Sequence, residues 1–270
     1  MNKAAIVLAL CATAALAESN FSVPLIGIAR DARQQLRFVH GVSGNFVLRQ
    51  AIGNQVRDWT FAGFGGLVKT GTELLFLDVN AAVVRRRSIL DSDIAMSPGA
   101  MPLAALYFLR AENELWVSGA VADRKVPIAP EAIAGTVVAL GPSGRNQAVL
   151  AVCRADSLSL LTVNLRTGTV MAETAPGGSI GEKTCSAKSA ALLMIGSRLV
   201  LATGNAVVIQ TDNGGEHRIP LLAAGGAKPE LHRAGEHWIQ LEIAGAPSLM
   251  IRVDGTDDKC YRLPGAGQDR

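Results

Sequence analysis

The sequence predicts an all-β fold made of repeated four-stranded antiparallel units. The clearest unit lies between residues 135 and 174, where short runs rich in Val and Leu alternate with segments rich in Gly, Pro, Asn and Asp. Such runs are typical of strands joined by hairpins. Its four predicted strands are 135–140, 147–153, 158–165 and 168–174. No helical pattern of useful length follows residue 17, which also favours an all-β chain.

The unit recurs along the chain. Aligning the predicted second strand of each unit gives segments that begin at 35, 73, 114, 147, 198 and 237, each opening with a polar residue and continuing into an apolar or alternating strand. Their starts are 38, 41, 33, 51 and 39 residues apart. A period of about forty residues is the one expected for four-stranded blades of a propeller. The repeat therefore predicts a six-bladed β-propeller of four-stranded antiparallel blades, formed by a single domain over residues 18–270.

The strands of the other units follow from the same alignment. The first unit is assigned 25–30, 36–41, 46–51 and 56–61, the second begins with 65–69, and the third with the pair 103–109 and 114–118. The fifth unit is assigned 190–195, 198–203, 206–211 and 216–221, and the last 230–233, 237–243, 249–253 and 259–263. The links 91–102 and 176–187 are long, and long loops on a rigid scaffold are where binding residues tend to lie.

Residues 1–17 have the pattern of a secretory signal peptide. Lys3 supplies the positive start, residues 4–14 the apolar run, and Ala15-Leu16-Ala17 the cleavage signal before Glu18. We therefore expect export to the periplasm or the extracellular space. No second long apolar stretch follows, so no transmembrane segment is expected in the mature chain.

The charge of the mature chain gives no support for nucleic-acid binding. Removal of Lys3 leaves 25 basic and 23 acidic residues, and these are scattered evenly. The one basic run, Arg85 to Arg87, is interpreted as an edge strand whose charges discourage pairing with other chains.

One hairpin carries a resemblance to known proteins. Val163-Asn-Leu-Arg-Thr-Gly-Thr-Val170, followed by a Gly-rich link, resembles the hairpin between the third and fourth strands of six-bladed β-propellers of the NHL, TolB-like and YVTN groups. In the spacing of the repeated strands, the resemblance covers most of residues 21–264. It implies a fold and a style of binding without an activity.

In propellers the first strand of each blade begins on the upper face, where the loops between second and third strands and between blades also gather. The polar residues expected there are His40, Asp78, Arg154, Asp156 and Asn205. The resulting interpretation is an exported binding or scaffolding module for a protein or small-molecule ligand.

A metal-dependent hydrolase or lactonase of the six-bladed type is the alternative. It would need inward carboxylates and Asn side chains around Ca²⁺, and Asp78, Asp156 and Asn205 are the candidates. Residues of these types at strand ends also form turns by bonding their own backbone. The sequence has no zinc-ligand spacing and no nucleophile elbow, so it leaves open whether the chain is an enzyme.

Three cysteines remain after cleavage, and export permits one disulfide. Cys153 ends a second strand that runs towards the upper face, and Cys185 lies in the link that crosses this face to the next unit. We therefore predict a disulfide between Cys153 and Cys185, with Cys260 outside it. Three reduced thiols in small apolar sites are the alternative.

Overall fold

The computed structural model describes residues 23–53, 55–91, 93–99, 104–119, 122–177, 180, 185, 190–211, 214–221, 228–253 and 259–264. The predicted signal peptide, residues 1–17, lies outside them. The described chain consists almost entirely of strands, with one short 3-10 helix at Pro130–Ile133. None of its helices has the length and apolar character needed to span a membrane.

The strands form one three-stranded sheet followed by five four-stranded antiparallel units. The three-stranded sheet, here called the wedge sheet, consists of β1 (Leu25–Arg30), β2 (Leu36–Val42) and β3 (Asn45–Gly53). The first two four-stranded units are β4 (Asp58–Ala62), β5 (Gly65–Lys69), β6 (Glu73–Leu77) and β7 (Val83–Ser88), then β8 (Ile94–Pro98), β9 (Ala105–Leu109), β10 (Glu114–Ser118) and β11 (Asp123–Lys125). The other three are β12 (Thr136–Pro142), β13 (Gln147–Arg154), β14 (Ser157–Asn164) and β15 (Val170–Thr174), then β16 (Ala191–Ile195), β17 (Arg198–Ala202), β18 (Ala206–Gln210) and β19 (Glu216–Pro220), and finally β20 (Pro229–Arg233), β21 (Trp238–Ile243), β22 (Leu249–Arg252) and β23 (Cys260–Arg262).

The first strands of the four-stranded units lie side by side around a central channel. Strand β4 contacts β8, β8 contacts β12, β12 contacts β16, and β16 contacts β20. The circle closes where β20 pairs in parallel with β4 through Arg233 and Thr60. This pairing merges the first and last four-stranded units into one eight-stranded sheet. We call the contact between β4 and β20 the seam.

The wedge sheet lies behind the seam, between the first and last four-stranded units. On one face, Ile28 and Leu36 pack in a buried cluster with Trp59 of β4. On the other face, Ala29 and Val39 pack with Trp238 of β21. The wedge sheet therefore buries both of its faces and joins the two ends of the chain.

Close backbone approach fixes the position of the wedge sheet. The amide of Ile28 donates a hydrogen bond to the carbonyl of Ala234 at 2.8 Å. At the neighbouring Gly27, whose φ is +159°, an added Cβ would lie 1.9 Å from that carbonyl oxygen. Only glycine permits this approach, because any side chain would push the two strands apart.

Each pair of neighbouring four-stranded units shares its own apolar cluster. Leu67 and Tyr107 represent the cluster between the first and second units, and Leu150 and Leu115 the one between the second and third. The remaining two clusters contain Met194 between the third and fourth units and Ile239 between the fourth and fifth. The two clusters of the wedge sheet fill the position between the fifth and first units, so the packing of facing sheets continues around the ring.

The prediction of four-stranded antiparallel blades is confirmed, and the strands predicted in the last three units match the observed ones closely. The assignment of residues 56–61 as the outer strand of the first unit is wrong. These residues overlap β4, the innermost strand of the next unit. The physical reason is burial: Trp59, Thr60, Phe61 and Ala62 are all buried, whereas an outer strand keeps one side in solvent.

The assignment of residues 91–102 as a link is also wrong. This segment contains β8, whose five residues are all buried and whose Ile94, Ala95 and Met96 line the channel. The segments beginning at 73 and 114 consequently belong to third strands, β6 and β10, rather than to second strands. The misassignment arose because Ile94–Pro98 combines Ala, Met, Ser and Pro, which have weak intrinsic preference for a strand.

The two cysteines paired in the sequence analysis are joined by a disulfide. Cys153 and Cys185 have Cα atoms 5.5 Å apart, and 32 residues separate them in the chain. Cys153 ends the pairing of β13 with β12, and Cys185 lies in the segment that leads to β16. Ile180, in the same segment, is fully buried between the two units. Cys260 is exposed and lies outside this disulfide.

Candidate functional site

The central channel contains a cavity of 430 Å³ to which all five innermost strands contribute. Its upper mouth is the end at which these strands begin, and charged side chains concentrate there. The charged residues lining the cavity are Arg57, Asp58, Lys69, Asp93, Arg110, Lys228, Glu230 and His232. Deeper in the channel the lining is apolar, with Ala95, Met96, Leu140 and Met194.

A buried histidine links the two strands of the seam at this mouth. Nδ1 of His232 on β20 lies 2.8 Å from Oδ1 of Asp58 on β4. The imidazole stacks on the indole of Trp59 with ring centroids 3.6 Å apart. Nε2 of His232 lies 3.6 Å from Oε2 of Glu230, which is an ion-pair distance too long for a hydrogen bond.

Arg30 at the end of β1 connects the wedge sheet to the same cluster. Its guanidinium lies 4.5 Å from the ring centroid of Trp59 and forms ion pairs with Glu242 at 3.2 Å and with Glu230 at 3.4 Å. Its backbone amide donates to Oε1 of Gln240, and Nε2 of Gln240 donates back to its carbonyl. The buried arginine thus has a backbone anchor and two carboxylate partners.

Burial and charge shift the pKa values within this cluster. Burial lowers the pKa of His232, but its contacts with Asp58 and Glu230 outweigh burial, and the pKa is raised. The interaction with His232, with Arg30 as a smaller contributor, lowers the pKa of Glu230. Burial raises the pKa of Glu242. The contacts of His232 with the two carboxylates thus favour the charged form of its imidazole.

Two further cations lie at this mouth. Nζ of Lys69 donates to the carbonyls of Thr70 and Gly71 at 2.7 and 2.8 Å, and burial lowers the pKa of this ammonium. Nε of Arg110 donates to the carbonyl of Val137 at 2.8 Å, and burial lowers the pKa of the guanidinium. Both side chains are held by backbone carbonyls, so their positions are fixed by the fold.

The remaining part of the mouth is apolar. Strand β12 contributes Val138, and the start of β16 contributes Ala190 and Leu192. All three are only half-buried. The mouth therefore has a charged side formed by β20, β4 and β8 and an apolar side formed by β12 and β16, an arrangement suited to an amphipathic ligand.

The structure does not gather the site residues predicted from the sequence around the channel. Arg154, Asp156 and Asn205 lie at turns between second and third strands, at the end where the innermost strands begin. Nε of Arg154 donates to the carbonyl of Ala134 at 2.7 Å, and Oδ1 of Asn205 accepts from Oγ1 of Thr203 at 2.8 Å. Asp156 is exposed. These residues are spread over two units and do not line the 430 Å³ cavity.

The other two predicted residues lie elsewhere. Asp78 lies between β6 and β7, a third and a fourth strand, and therefore at the opposite end of its unit. Its Oδ1 accepts from the amides of Asn80 and Ala82 at 2.9 Å each, as a turn-forming residue does. His40 lies in the wedge sheet, where Nδ1 is 3.0 Å from the carbonyl oxygen of Val23.

A calcium centre built from Asp78, Asp156 and Asn205 would require these residues to converge, and they do not. Among the described residues, no group of three or more His, Cys, Asp or Glu side chains has an arrangement that could hold a metal ion.

Three mouth residues that the sequence analysis did not identify lie at the beginning of an innermost strand. Asp58 begins β4, Asp93 immediately precedes β8, and Lys228 immediately precedes β20. Correct assignment of the innermost strands would have drawn attention to them, and the misassignment of β4 and β8 concealed two of the three. His232 gave no local signal, because its partner Asp58 lies 174 residues away in the chain.

Comparisons with known proteins show the fold. Neither the protein-family models nor the curated proteins match this chain. A chain in the crystal structure of a nidogen–laminin complex is similar, with 8% identity, coverage of 88% of this chain and 93% of that one, and a TM-score of 0.52.

Two further similar structures have lower TM-scores. The β-propeller domain of Cps50 (Swd1) from Myceliophteria thermophila has 10% identity, covers 92% of this chain and 90% of that one, and gives a TM-score of 0.49. The virginiamycin B lyase from Staphylococcus aureus has 11% identity, coverage of 91% and 86%, and a TM-score of 0.45. The resemblance to β-propellers is confirmed at the level of the fold by the four-stranded units around the channel and by the likeness with a TM-score of 0.52.

Proposed function

We propose that this protein is an exported β-propeller that acts as a binding module and that its partner, a protein, binds at the upper mouth of the channel. The observation that carries the proposal is the mouth itself. A charged side fixed by carbonyls and ion pairs faces an apolar side across a 430 Å³ cavity. Rigid, concave and amphipathic surfaces of this kind favour specific binding.

The fold comparison adds limited support. The similar chain with a TM-score of 0.52 comes from a complex between two proteins, nidogen and laminin. At 8% identity this likeness concerns the fold alone, so the choice of a protein partner rests on the open, mixed surface of the mouth.

The proposal includes six blades, with the wedge sheet as the sixth. Support comes from its position between the first and last four-stranded units and from its two packed faces. This blade would differ from the others because β1 lies behind the seam rather than in the ring of innermost strands.

Export is also part of the proposal and rests on the signal-peptide pattern of residues 1–17. N-terminal sequencing of the protein recovered outside the cytoplasm is expected to begin at Glu18. Recovery of the uncleaved chain in the cytoplasm alone would contradict export.

Partner capture with matched charge reversals tests the binding function. Lys228→Glu changes an exposed residue at the mouth, and Arg124→Glu changes an exposed residue in β11, away from the channel. Chemical cross-linking in the producing cell, followed by mass spectrometry, is expected to identify a protein that is lost with Lys228→Glu and retained with Arg124→Glu. A set of cross-linked proteins that is the same for both variants would refute binding at the mouth.

Calcium-dependent melting tests the hydrolase alternative. A binding module without a metal centre is expected to melt at the same temperature with calcium and with a chelator. An increase in melting temperature that saturates with calcium would favour the alternative.

A further inference from the structure

The seam cluster contains buried hydrogen-bond donors that have no partner. Among the described residues, Nε1 of Trp59, Oγ1 of Thr60, Nε2 of His232 and Nε of Arg30 are buried and have no hydrogen-bond partner. Buried polar atoms are nearly always paired, so each exception calls for an explanation. Trp59, Thr60 and His232 all line the channel cavity. The cavity is therefore next to a set of donors that lack an oxygen acceptor.

His232 belongs to this set. Asp58 lies against Nδ1 of the imidazole, and the contacts with Asp58 and Glu230 raise the pKa of the ring, which favours a proton, and therefore a donor, at each nitrogen. Thr60 is 2% exposed and His232 4% exposed, so water reaches neither residue freely in this structure. A ligand oxygen that accepted hydrogen bonds from these groups would offset the free-energy cost of burying them without a partner.

The charges that line the cavity also favour an anion. Four cationic side chains and His232 line it together with three carboxylates. Lys228 is exposed, and no carboxylate of the described residues lies within ion-pair distance of its ammonium. Asp58 and Glu230 are already engaged by His232 and Arg30. Asp91 is the partner of Arg57 and Lys69, and Asp93 that of Arg110, so Lys228 is the cation at the entrance that an anion can engage.

We propose that the upper mouth binds a carboxylate group, which accepts hydrogen bonds from Thr60 and His232, while a short apolar body attached to it packs on Val138, Ala190 and Leu192. The proposal rests on the proposed function, because it assigns a chemistry to the same mouth. Two sources share this chemistry: the C-terminal carboxylate of a partner protein and a free carboxylic acid.

Calorimetric titration of the protein, purified as the producing cell processes it, tests the site. The probes are 4-methylpentanoate, its uncharged amide 4-methylpentanamide, and a five-residue peptide ending in leucine with either a free or an amidated C-terminus. We expect the carboxylate forms to bind with a Kd of about 1 mM or tighter and the amide forms at least tenfold more weakly. Equal binding of acid and amide, or no binding of either acid, overturns the proposal.

Two variants locate the binding. Thr60→Val replaces an unpartnered buried hydroxyl with a methyl group of the same shape, so the melting temperature is expected to stay the same or rise while the affinity falls by about tenfold. Lys228→Gln is expected to weaken binding by about threefold, and the control Lys125→Gln, in β11, to leave it unchanged. Unchanged affinity in Thr60→Val overturns the assignment of Thr60 and shows that its hydroxyl takes no part in a ligand site.

The comparison of probes separates the two sources. Tighter binding of the free-acid peptide than of 4-methylpentanoate indicates the terminus of a protein, and the reverse order indicates a small acid. Binding of the small acid without any partner lost in Lys228→Glu would refute the protein-binding function and leave the carboxylate site supported. Failure of all acids, with a partner still captured at the mouth, would refute the carboxylate site alone.

Discussion

Nδ1 of His232 lies 2.8 Å from Oδ1 of Asp58, although 174 residues separate the two in the chain. The contact lies beside the parallel pairing of Arg233 with Thr60, where the first and last four-stranded units meet. The contact between His232 and Asp58 thus joins the two strands that close the ring, and it also borders the channel mouth. The stability of the ring and the chemistry of the site are therefore expected to respond to the same residue.

The pH dependence of stability follows from this pair. Asp58, Glu230, Glu242 and Arg30 are the charged groups around His232, and their net effect is to raise its pKa. A raised folded-state pKa stabilises the protein fully below the unfolded value of about 6.5, and this stabilisation is lost as the pH rises through the folded-state pKa.

Urea unfolding of the wild type and of His232→Gln between pH 5.5 and 8.5 measures the effect. The stability difference in favour of the wild type is expected to be largest at the acidic end and to shrink as the pH rises above about 6.5. A difference that grows with pH would show that the histidine is buried in its neutral form.

Removal of Arg30 is expected to destabilise the protein by about 3–5 kcal/mol, because Glu242 would remain buried without its cationic partner. Arg30→Met keeps most of the side-chain volume, and chemical denaturation measures the loss. The control Arg49→Met changes an exposed residue of the same wedge sheet and is expected to cost less than about 0.5 kcal/mol. Equal losses of stability in the two variants would show that the ion pairs of Arg30 do not hold the wedge sheet in place.

The disulfide between Cys153 and Cys185 is expected to contribute about 3–4 kcal/mol to the free energy of unfolding, because it reduces the conformational entropy of the unfolded chain. The double variant Cys153→Ser and Cys185→Ser is compared with the wild type by urea unfolding under oxidising conditions. Cys260→Ser, outside the disulfide, serves as the control and is expected to retain the wild-type value. Peptide mapping without reductant that found Cys260 linked to either residue would contradict this pairing.

The sequence predicted the later part of the fold better than the earlier part, for a local reason. Strands β12 to β23 are bounded by turn segments such as 166–168, whose Gly168 has a φ of +74°. In the earlier part, β4 and β8 are short, and tertiary burial decides that they form strands at the channel. Strand β4 contributes Asp58 and Thr60 to the mouth, and Asp93 immediately precedes β8, so the misassignment of these two strands also concealed the site.

The expected upper-face residues illustrate a second limit. Polar residues at strand ends are common to turns and to binding sites, and Asp78 and Asn205 bond to local groups in their turns. The residues at the mouth acquire their properties from partners far away in the chain, as His232 does from Asp58. Such partners become visible only when the ring closes.

The carboxylate site is tested most directly at the histidine itself. Long-range ¹H–¹⁵N spectra resolve the ring nitrogens of His40, His217, His232 and His237, three of which lie away from the channel lining. On titration with 4-methylpentanoate, we expect Nε2 of His232 to shift and to saturate with the calorimetric Kd, while the other three histidines stay unchanged. A His232 signal that does not move at saturating carboxylate, or that moves equally with 4-methylpentanamide, would contradict the carboxylate site at the mouth of the channel.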